Sequence, residues 1–484
     1  MQITTTRNQN TFPYLLLMLL TAGISAPVAF ADAEPQSDVA NAPLVVHEWG
    51  TFTSFSGSNG VRLEFRPLTQ NDLPSFVNGA FTSLFSKLSL SAIQRLETPV
   101  TYFYTDVERD VLVSVDFPSG LLTEFYPPPR IIKPAFTPGY QVPTNTFDGK
   151  TTAGIPIRDG HADWGQIHLI PVNKLAPGIQ DEKLAQRIAS HIEQTIVPET
   201  NGNPYGYARM TDSAMVQVRH AENTQFPPAD KKHTNALEFS SRFVAAGDYF
   251  EKFLFYRGVG QFDLPVSMSS KDGQTFHIQN EGDFPLTGLF LVEQKDGKRR
   301  FTALSSLPAN SSVDLNLPAA PIQNDTLASE MVISLVQSGL YEKEAISMIR
   351  TWSESWFDEE GTRLFYIIPD EVTDALLPLH VSPQPTEQVR VMVGRLEFLA
   401  PDVERQVEDM VTQSYSDRAL VELAANGQSA QFELTPETLT QLQQLGRFAD
   451  PALVRVAQIT ESPALRSHAQ LMRTTLQNME RKQN

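Results

Sequence analysis

The sequence predicts an α+β protein that is mainly β, and three observations carry that reading. Between residues 44 and 400 short runs of β-branched and aromatic residues recur, such as PVTYFY and VLVSVDF. Turn-forming Gly, Pro, Asn and Asp separate them. Apolar residues at helical spacing are confined to a few segments until about residue 405, beyond which they dominate. The expected layout is a β-rich N-terminal domain with one helix (44–234), a β-sandwich-like module (235–320), a mixed α/β region (321–404) and a helical C-terminal segment (405–484).

The chain opens with Arg7, the apolar run Pro13–Leu20, and an A-x-A site at Ala29–Ala31. That pattern predicts a signal peptide over 1–31, because the apolar run is too short to anchor in a bilayer. Residues 32–43 are a polar spacer expected to be disordered. The next clear pattern pairs Pro99–Tyr104 with Val111–Phe117 as a hairpin across a charged turn. The Pro-rich stretch from Pro127 to Asn145 is expected to cover the sheet as a loop. Leu184, Ile188, Ile192 and Ile196 predict a helix over 181–197, ended by Pro198. Alternation returns at 261–318, with an Asp296–Gly297 turn between strands. Gly339 splits two helices, 326–338 and 342–356, by offering a left-handed C-cap. Strands at 362–368 and 388–399 follow. Thr435-Pro436, Asp450-Pro451 and Ser462-Pro463 each offer an N-cap before a first-turn proline, which predicts a separable group of short helices.

Composition limits function. A formal net charge of −18 argues against nucleic acid or anionic lipid as partner, since both need clustered Lys and Arg. No segment after the leader is apolar enough to span a membrane. The absence of Cys removes thiol catalysis and disulfides. No G-x-S-x-G, P-loop or dinucleotide fingerprint occurs. The expectation is a soluble exported protein, in the periplasm, whose partner is an unknown protein or small-molecule ligand and whose cofactor the sequence does not name.

Charges lie where strands should be apolar. In LVVHEWGTFTSF, His47 and Glu48 point to opposite faces and neither face is wholly polar. Glu97 precedes a strand, Glu251 and Arg257 flank FLFY, and Arg395 sits with Glu397 in VMVGRLEF. A buried charge needs a partner, so two readings stand. These residues are structural ion pairs, or they converge on a polar pocket. In the pocket, Glu48 or Glu97 would be a base or metal ligand and Arg257 or Arg395 would clamp an anion. The catalytic candidates are therefore His47, Glu48, Glu97, Glu251, Arg257 and Arg395.

HEWGTFTS, ETPVTYFY, EKFLFYRG, TW-x-x-SWF-x-EEGTR and the late Val-Gly-Arg-x-Glu element together resemble a family of exported bacterial proteins of unassigned activity whose mature region opens with HEWGTF. The resemblance covers most of 44–400 and implies one integrated architecture; it names no reaction.

Weaker constellations complete the inventory. His161, Asp163 and His168 have the right chemistry for zinc or copper but match no metal spacing, and His168 also fits a hydrogen-bonded core histidine. Trp352 and Trp356, i and i+4 on a helix, fit core packing better than sugar stacking. Asp358-Glu359-Glu360 reads as a solvated turn. Two functions follow: a binding or assembly module without turnover, or an exported hydrolase or metal-dependent enzyme. An enzyme needs the candidate charges around an open cavity; a scaffold has them paired and closed.

Overall fold

Strand β1 (Val45–Ser56) is buried at every position after its first. Such a strand needs a neighbour on each edge and a layer on each face, and the computed structural model supplies both. It describes residues 42–66, 73, 77–79, 91–134, 144–147, 150–153, 157–172, 204–220, 246–321, 326–424 and 432–483. The leader, most of the spacer and the helix expected at 181–197 lie outside the described residues.

Among the described residues the central sheet has ten strands. Its order is β17 (Lys298–Leu307), β16 (Leu286–Lys295), β19 (Gly361–Ile368), β21 (Glu387–Phe398), β1, β4 (Gln94–Tyr104), β13 (Leu254–Gly260), β6 (Gly120–Tyr126) and β3 (Asn78–Gly79), with β2 (Arg62–Leu63) beside β1. The β1–β21 pair is parallel and every other pairing in this sheet is antiparallel. A second sheet runs β12 (Gly247–Glu251), β11 (Met215–His220), β10 (Gly160–Ile170), β5 (Arg109–Phe117) and β20 (Leu379–Ser382), with β7 (Ile131–Lys133) beside β10. A third joins β14 (Val266–Ser269), β15 (Thr275–Asn280) and β18 (Ser311–Asn316); β8 (Thr144–Phe147) and β9 (Lys150–Ala153) pair with each other.

One core, including Phe52, Phe103, Val113, Trp164 and Ile278, fills the space between the central sheet and the other two. A second core, including Trp49, Tyr102, Met348, Trp352 and Trp356, lies between the opposite face and helices α1 (Leu327–Gln337) and α2 (Glu342–Ser353). The protein is thus mainly β, of α+β class, with the central sheet sandwiched between a β layer and a helical layer. The described chain from Ala42 onward is one compact unit.

Several expectations are corrected here. Pro99–Tyr104 and Val111–Phe117 do not form a hairpin: β4 pairs with β1 and β13, whereas β5 pairs with β10 and β20. Burial gives the reason. β4 is hidden on both faces and belongs in the middle layer, while β5 alternates buried with more exposed positions and belongs outside. Residues 235–320 are not a separate sandwich, since their strands are shared among three sheets, and strand pairing crosses the boundaries expected at 234 and 320. Gly339 does terminate α1, with φ +108, and Asp296 and Gly297 form the expected turn, both at positive φ.

After α3 (Asp370–Leu376), the C-terminal helices are α4 (Pro401–Ala424), α5 (Pro436–Gln444), α6 (Ala449–Ile459) and α7 (Pro463–Gln483). They start at 401 rather than 405 and are not separable as a packing unit. Their core takes in Phe55, Leu63, Phe65 and Leu399 from the sheet region. Thr435 caps α5 as expected, accepting from Thr438 N at 3.2 Å. Asp450 is not a cap: α6 begins at Ala449, and the carboxylate holds Arg66 and Arg473 instead.

Candidate functional site

The HEWGTF strand lies at the centre of the central sheet, and its alternation sends neighbouring side chains into different cores. Gly50 is where the sheet tightens. A Cβ there would lie 2.9 Å from Met392 Sδ and 3.1 Å from the Pro99 Cα, so the β4 backbone sits where any side chain would go. The β1–β4 register shifts between Trp49 and Thr51. Thr98 in the shifted stretch is buried at φ +51, a strained conformation for a β-branched residue. β13 shifts register against both β4 and β6 near Arg257. Such bulges re-aim side chains and collect beside functional sites.

Glu48 faces the β layer. Its carboxylate accepts from Arg390 Nη2 at 2.6 Å and Nε at 2.9 Å, from Thr101 Oγ1 at 2.8 Å and from the Tyr256 hydroxyl at 2.7 Å. Arg390 Nη1 also reaches Asp374 Oδ1 at 2.8 Å. Burial favours the neutral guanidine, but the Glu48 charge outweighs it and raises the Arg390 pKa. Burial and the Glu48 charge both raise that of Tyr256, which keeps the hydroxyl a donor. Glu48 thus meets an arginine, as a buried charge requires, and that arginine is Arg390 rather than either arginine singled out from the sequence, Arg257 or Arg395.

His47 faces the helical layer. Its Nδ1 lies 2.8 Å from Glu344 Oε2, both side chains being fully buried. Glu344 also accepts from the Tyr104 hydroxyl at 2.6 Å and from Tyr341 N at 2.8 Å. The half-exposed Tyr341 ring packs over His47 with centroids 4.4 Å apart. Glu344 serves two purposes at once, holding the imidazole and closing the first turn of α2 in a capping box. Among the described residues, His47 Nε2, Trp49 Nε1, Thr51 Oγ1, Trp352 Nε1 and Trp356 Nε1 are buried without a hydrogen-bond partner. Trp49, Trp352 and Trp356 belong to the core on this helix-facing side, and His47 and Thr51 alternate with Trp49 on the same face of β1. Trp352 and Trp356 stack at 6.4 Å inside the core, which rules them out as a sugar platform.

The remaining candidates are not gathered around one point. Glu97 pairs with Arg95 at 2.9 Å and accepts from Thr53 Oγ1 at 3.1 Å. Glu251 is held by Arg209 at 2.6 Å and caps Lys252 N at 2.8 Å. Arg257 donates to the Tyr205 hydroxyl and lies against that ring. Arg395 donates through Nε to Glu397 at 2.5 Å and through Nη2 to the Ser355 carbonyl at 2.6 Å. That carbonyl lies in a π-helical turn (Glu354–Asp358) that continues α2, and Arg447 Nη2 donates to it as well, at 3.2 Å. Glu397 is shared by Arg363, Arg395 and Arg447. Burial alone would raise its pKa; the three guanidinium charges overcome this and hold the carboxyl at about 2. Burial and the Arg395 charge push Arg447 down to about 9.

The metal reading is corrected. His161 Nδ1 pairs with Asp116 at 2.7 Å, Asp163 accepts from Gly165 N at 2.6 Å, and His168 Nδ1 pairs with Asp110 at 2.8 Å. A register shift between Asp163 and Gly165 further separates their environments along β10. Among the described residues no group of three His, Cys, Asp or Glu side chains is placed to hold a metal ion. His168 is on the exposed face of β10, not in the core. The residues that sequence reading missed are the partners, namely Arg390, Glu344, Tyr104, Arg209 and Arg447. Only Arg390 carried a signal, as a second arginine in the strand already singled out for Arg395.

No family model and no curated protein matches the chain. Among solved structures, the yeast delta-COP-I mu-homology domain, alone or complexed with a Dsl1 WxWxV peptide, aligns at a TM-score of 0.24 and 7% identity, covering 74% of this chain and 98% of that one. A likeness that weak carries no argument about fold or function. No helix among the described residues is long and apolar enough to cross a membrane.

Proposed function

We propose that this is an exported protein of the periplasm that acts by binding or assembly, without turnover. One observation supports this above the rest: five of the six candidate charges are closed into separate buried pairs, and the sixth, Arg257, is buried against the Tyr205 hydroxyl and ring. Glu48 is taken by Arg390, Glu97 by Arg95, Glu251 by Arg209, Arg395 by Glu397 and His47 by Glu344. An active centre needs such groups convergent and open to substrate. None of the six candidates lines the cavity of about 360 Å³ that lies against the C-terminal helices. The leader pattern at residues 1–31 supports life outside the cytoplasm.

A second reading keeps one specific support. His47 is oriented through Nδ1 by a carboxylate and leaves Nε2 unpartnered, which is how a general base is held. The two readings separate in one experiment. The mature chain is incubated with chromogenic ester, phosphoester, glycoside and peptide substrates, with and without divalent metal ions. The expected result is no turnover above that of heat-denatured protein. Turnover lost in His47→Gln at an unchanged melting temperature would establish the enzyme reading instead.

A further inference from the structure

We infer that the cavity between the β16–β17 hairpin, the start of α4 and the α5–α6 turn binds a short apolar peptide by its free C-terminal carboxylate. This rests on the binding reading above and gives it a ligand class. The cavity holds about 360 Å³, within the range of small-ligand sites. Its wall is apolar at Leu399, Val403, Leu445 and Phe448, enough for one or two aliphatic side chains.

The charges on the wall are unequally occupied. Each carboxylate is engaged. Asp272 accepts from Gln274 N and Thr275 N, Glu293 from Arg300, Glu360 from Asp296 N and Gly297 N, and Asp402 from Val403 N. Lys271 and Arg405 also line the cavity, and both are exposed and in no ion pair among the described residues. They leave two cations for an incoming anion.

A second source of positive potential lies behind the wall. Gly361 lines the cavity at φ +125, and a Cβ there would stand 2.7 Å from the Phe448 ring and 3.4 Å from Arg363 Nη2. At Gly361 the wall therefore abuts the cluster in which Arg363, Arg395 and Arg447 share Glu397 and the half-exposed Glu359. Three guanidinium groups against two carboxylates leave a surplus positive charge, which low dielectric does little to screen.

The third element is Gln294. It lines the cavity, is 7% exposed, and its Oε1 is buried without a hydrogen-bond partner. An orphaned acceptor beside an apolar wall and two free cations matches a peptide end, which brings an amide N–H, an aliphatic side chain and a carboxylate in close succession.

The test is titration calorimetry of the mature chain with N-acetyl-alanyl-leucine as the free acid and as its C-terminal amide, followed by mass spectrometry of the peptide. The acid is expected to bind about 10-fold or more tightly than the amide, which corresponds to about 1.4 kcal/mol. The double variant Lys271→Gln/Arg405→Gln is expected to erase that difference at an unchanged melting temperature, since both side chains are exposed. Equal affinity for acid and amide, or no binding of the acid at millimolar concentration, would overturn the site and leave the binding reading standing on its closed ion pairs. Recovery of cleaved peptide would instead overturn the absence of turnover while the site remained.

Discussion

Glu48 and Arg390 are register partners across the parallel β1–β21 pair, and their side chains meet at 2.6 Å in a place where neither touches solvent appreciably. The two residues are 342 positions apart, so this contact fastens the first described strand to the last strand of the sheet. Between them lie nearly all the other strands, which makes the pair a closure of the central sheet rather than a local decoration.

Glu48→Ala is expected to destabilise the protein by about 3–5 kcal/mol, because it leaves the buried Arg390 guanidinium with only the exposed Asp374 as a carboxylate partner. Glu48→Met combined with Arg390→Met should recover much of that loss, since a buried pair can be replaced by apolar groups of similar size. Denaturant melts of the three proteins decide it. A single mutant that melts like wild type would show that Glu48 is not bound as described.

Tyr104→Phe removes one hydrogen bond to the buried Glu344 carboxylate and is expected to cost about 1.5–3 kcal/mol. His47→Ala should cost more, because it removes a partner of the carboxylate and opens space under Tyr341. The same melts measure both; a larger loss for Tyr104→Phe would reverse the assigned order of importance.

Acid should weaken the arginine cluster. The folded pKa of Glu397 is held at about 2, below its ordinary value of 4.5, so its contribution is complete above pH 4.5 and disappears as pH falls from there through 2. The shift corresponds to about 3 kcal/mol. Stability followed from pH 7 to pH 2 should fall in that window, and Glu397→Gln should lose about one proton of the slope. An unchanged slope in the variant would mean that the cluster is not what titrates.

Ending the chain at Ala400 is expected to abolish cooperative unfolding. The deletion uncovers Phe55, Leu63, Phe65 and Leu399, and it removes Glu404, which accepts from Ser58 N at 2.7 Å, as well as Arg447. A truncated protein with a single sharp calorimetric transition would show that the helices are an independent unit after all.

His161→Ala and His168→Ala are each expected to change stability by less than about 0.5 kcal/mol, since their carboxylate partners are also solvent-accessible. A rise in melting temperature with added zinc, lost in either variant, would restore the metal site that the geometry does not support.

Much of the secondary structure was legible because it depends on near neighbours. The Asp296–Gly297 turn, the helix break at Gly339 and the Thr435 cap follow from backbone conformations that few residues accept. The opposite surroundings of His47 and Glu48 also followed from strand alternation alone. The error over β4 and β5 shows where this stops: two good strands joined by a short charged turn make a hairpin by local rules, yet they lie in different sheets. What separates them is whether one face or two are buried, and that depends on layers contributed by distant residues.

The sequence by itself therefore determined the class of the protein, mainly β with a helical C-terminal part, and the need for its unusual strand charges to find partners. The tertiary structure decided who those partners are. Pairing a buried charge is a local energetic demand, since stranding one costs several kcal/mol wherever it sits. The identity of the partner is set by sheet order and register, which bring Arg390 to Glu48 and α2 to His47 across hundreds of residues. It was also the tertiary structure that left a cavity where the helices meet the sheets, with free cations on its wall and buried arginines behind it. No spacing in the chain announces that arrangement, because its parts come from strands, helices and turns that only packing brings together.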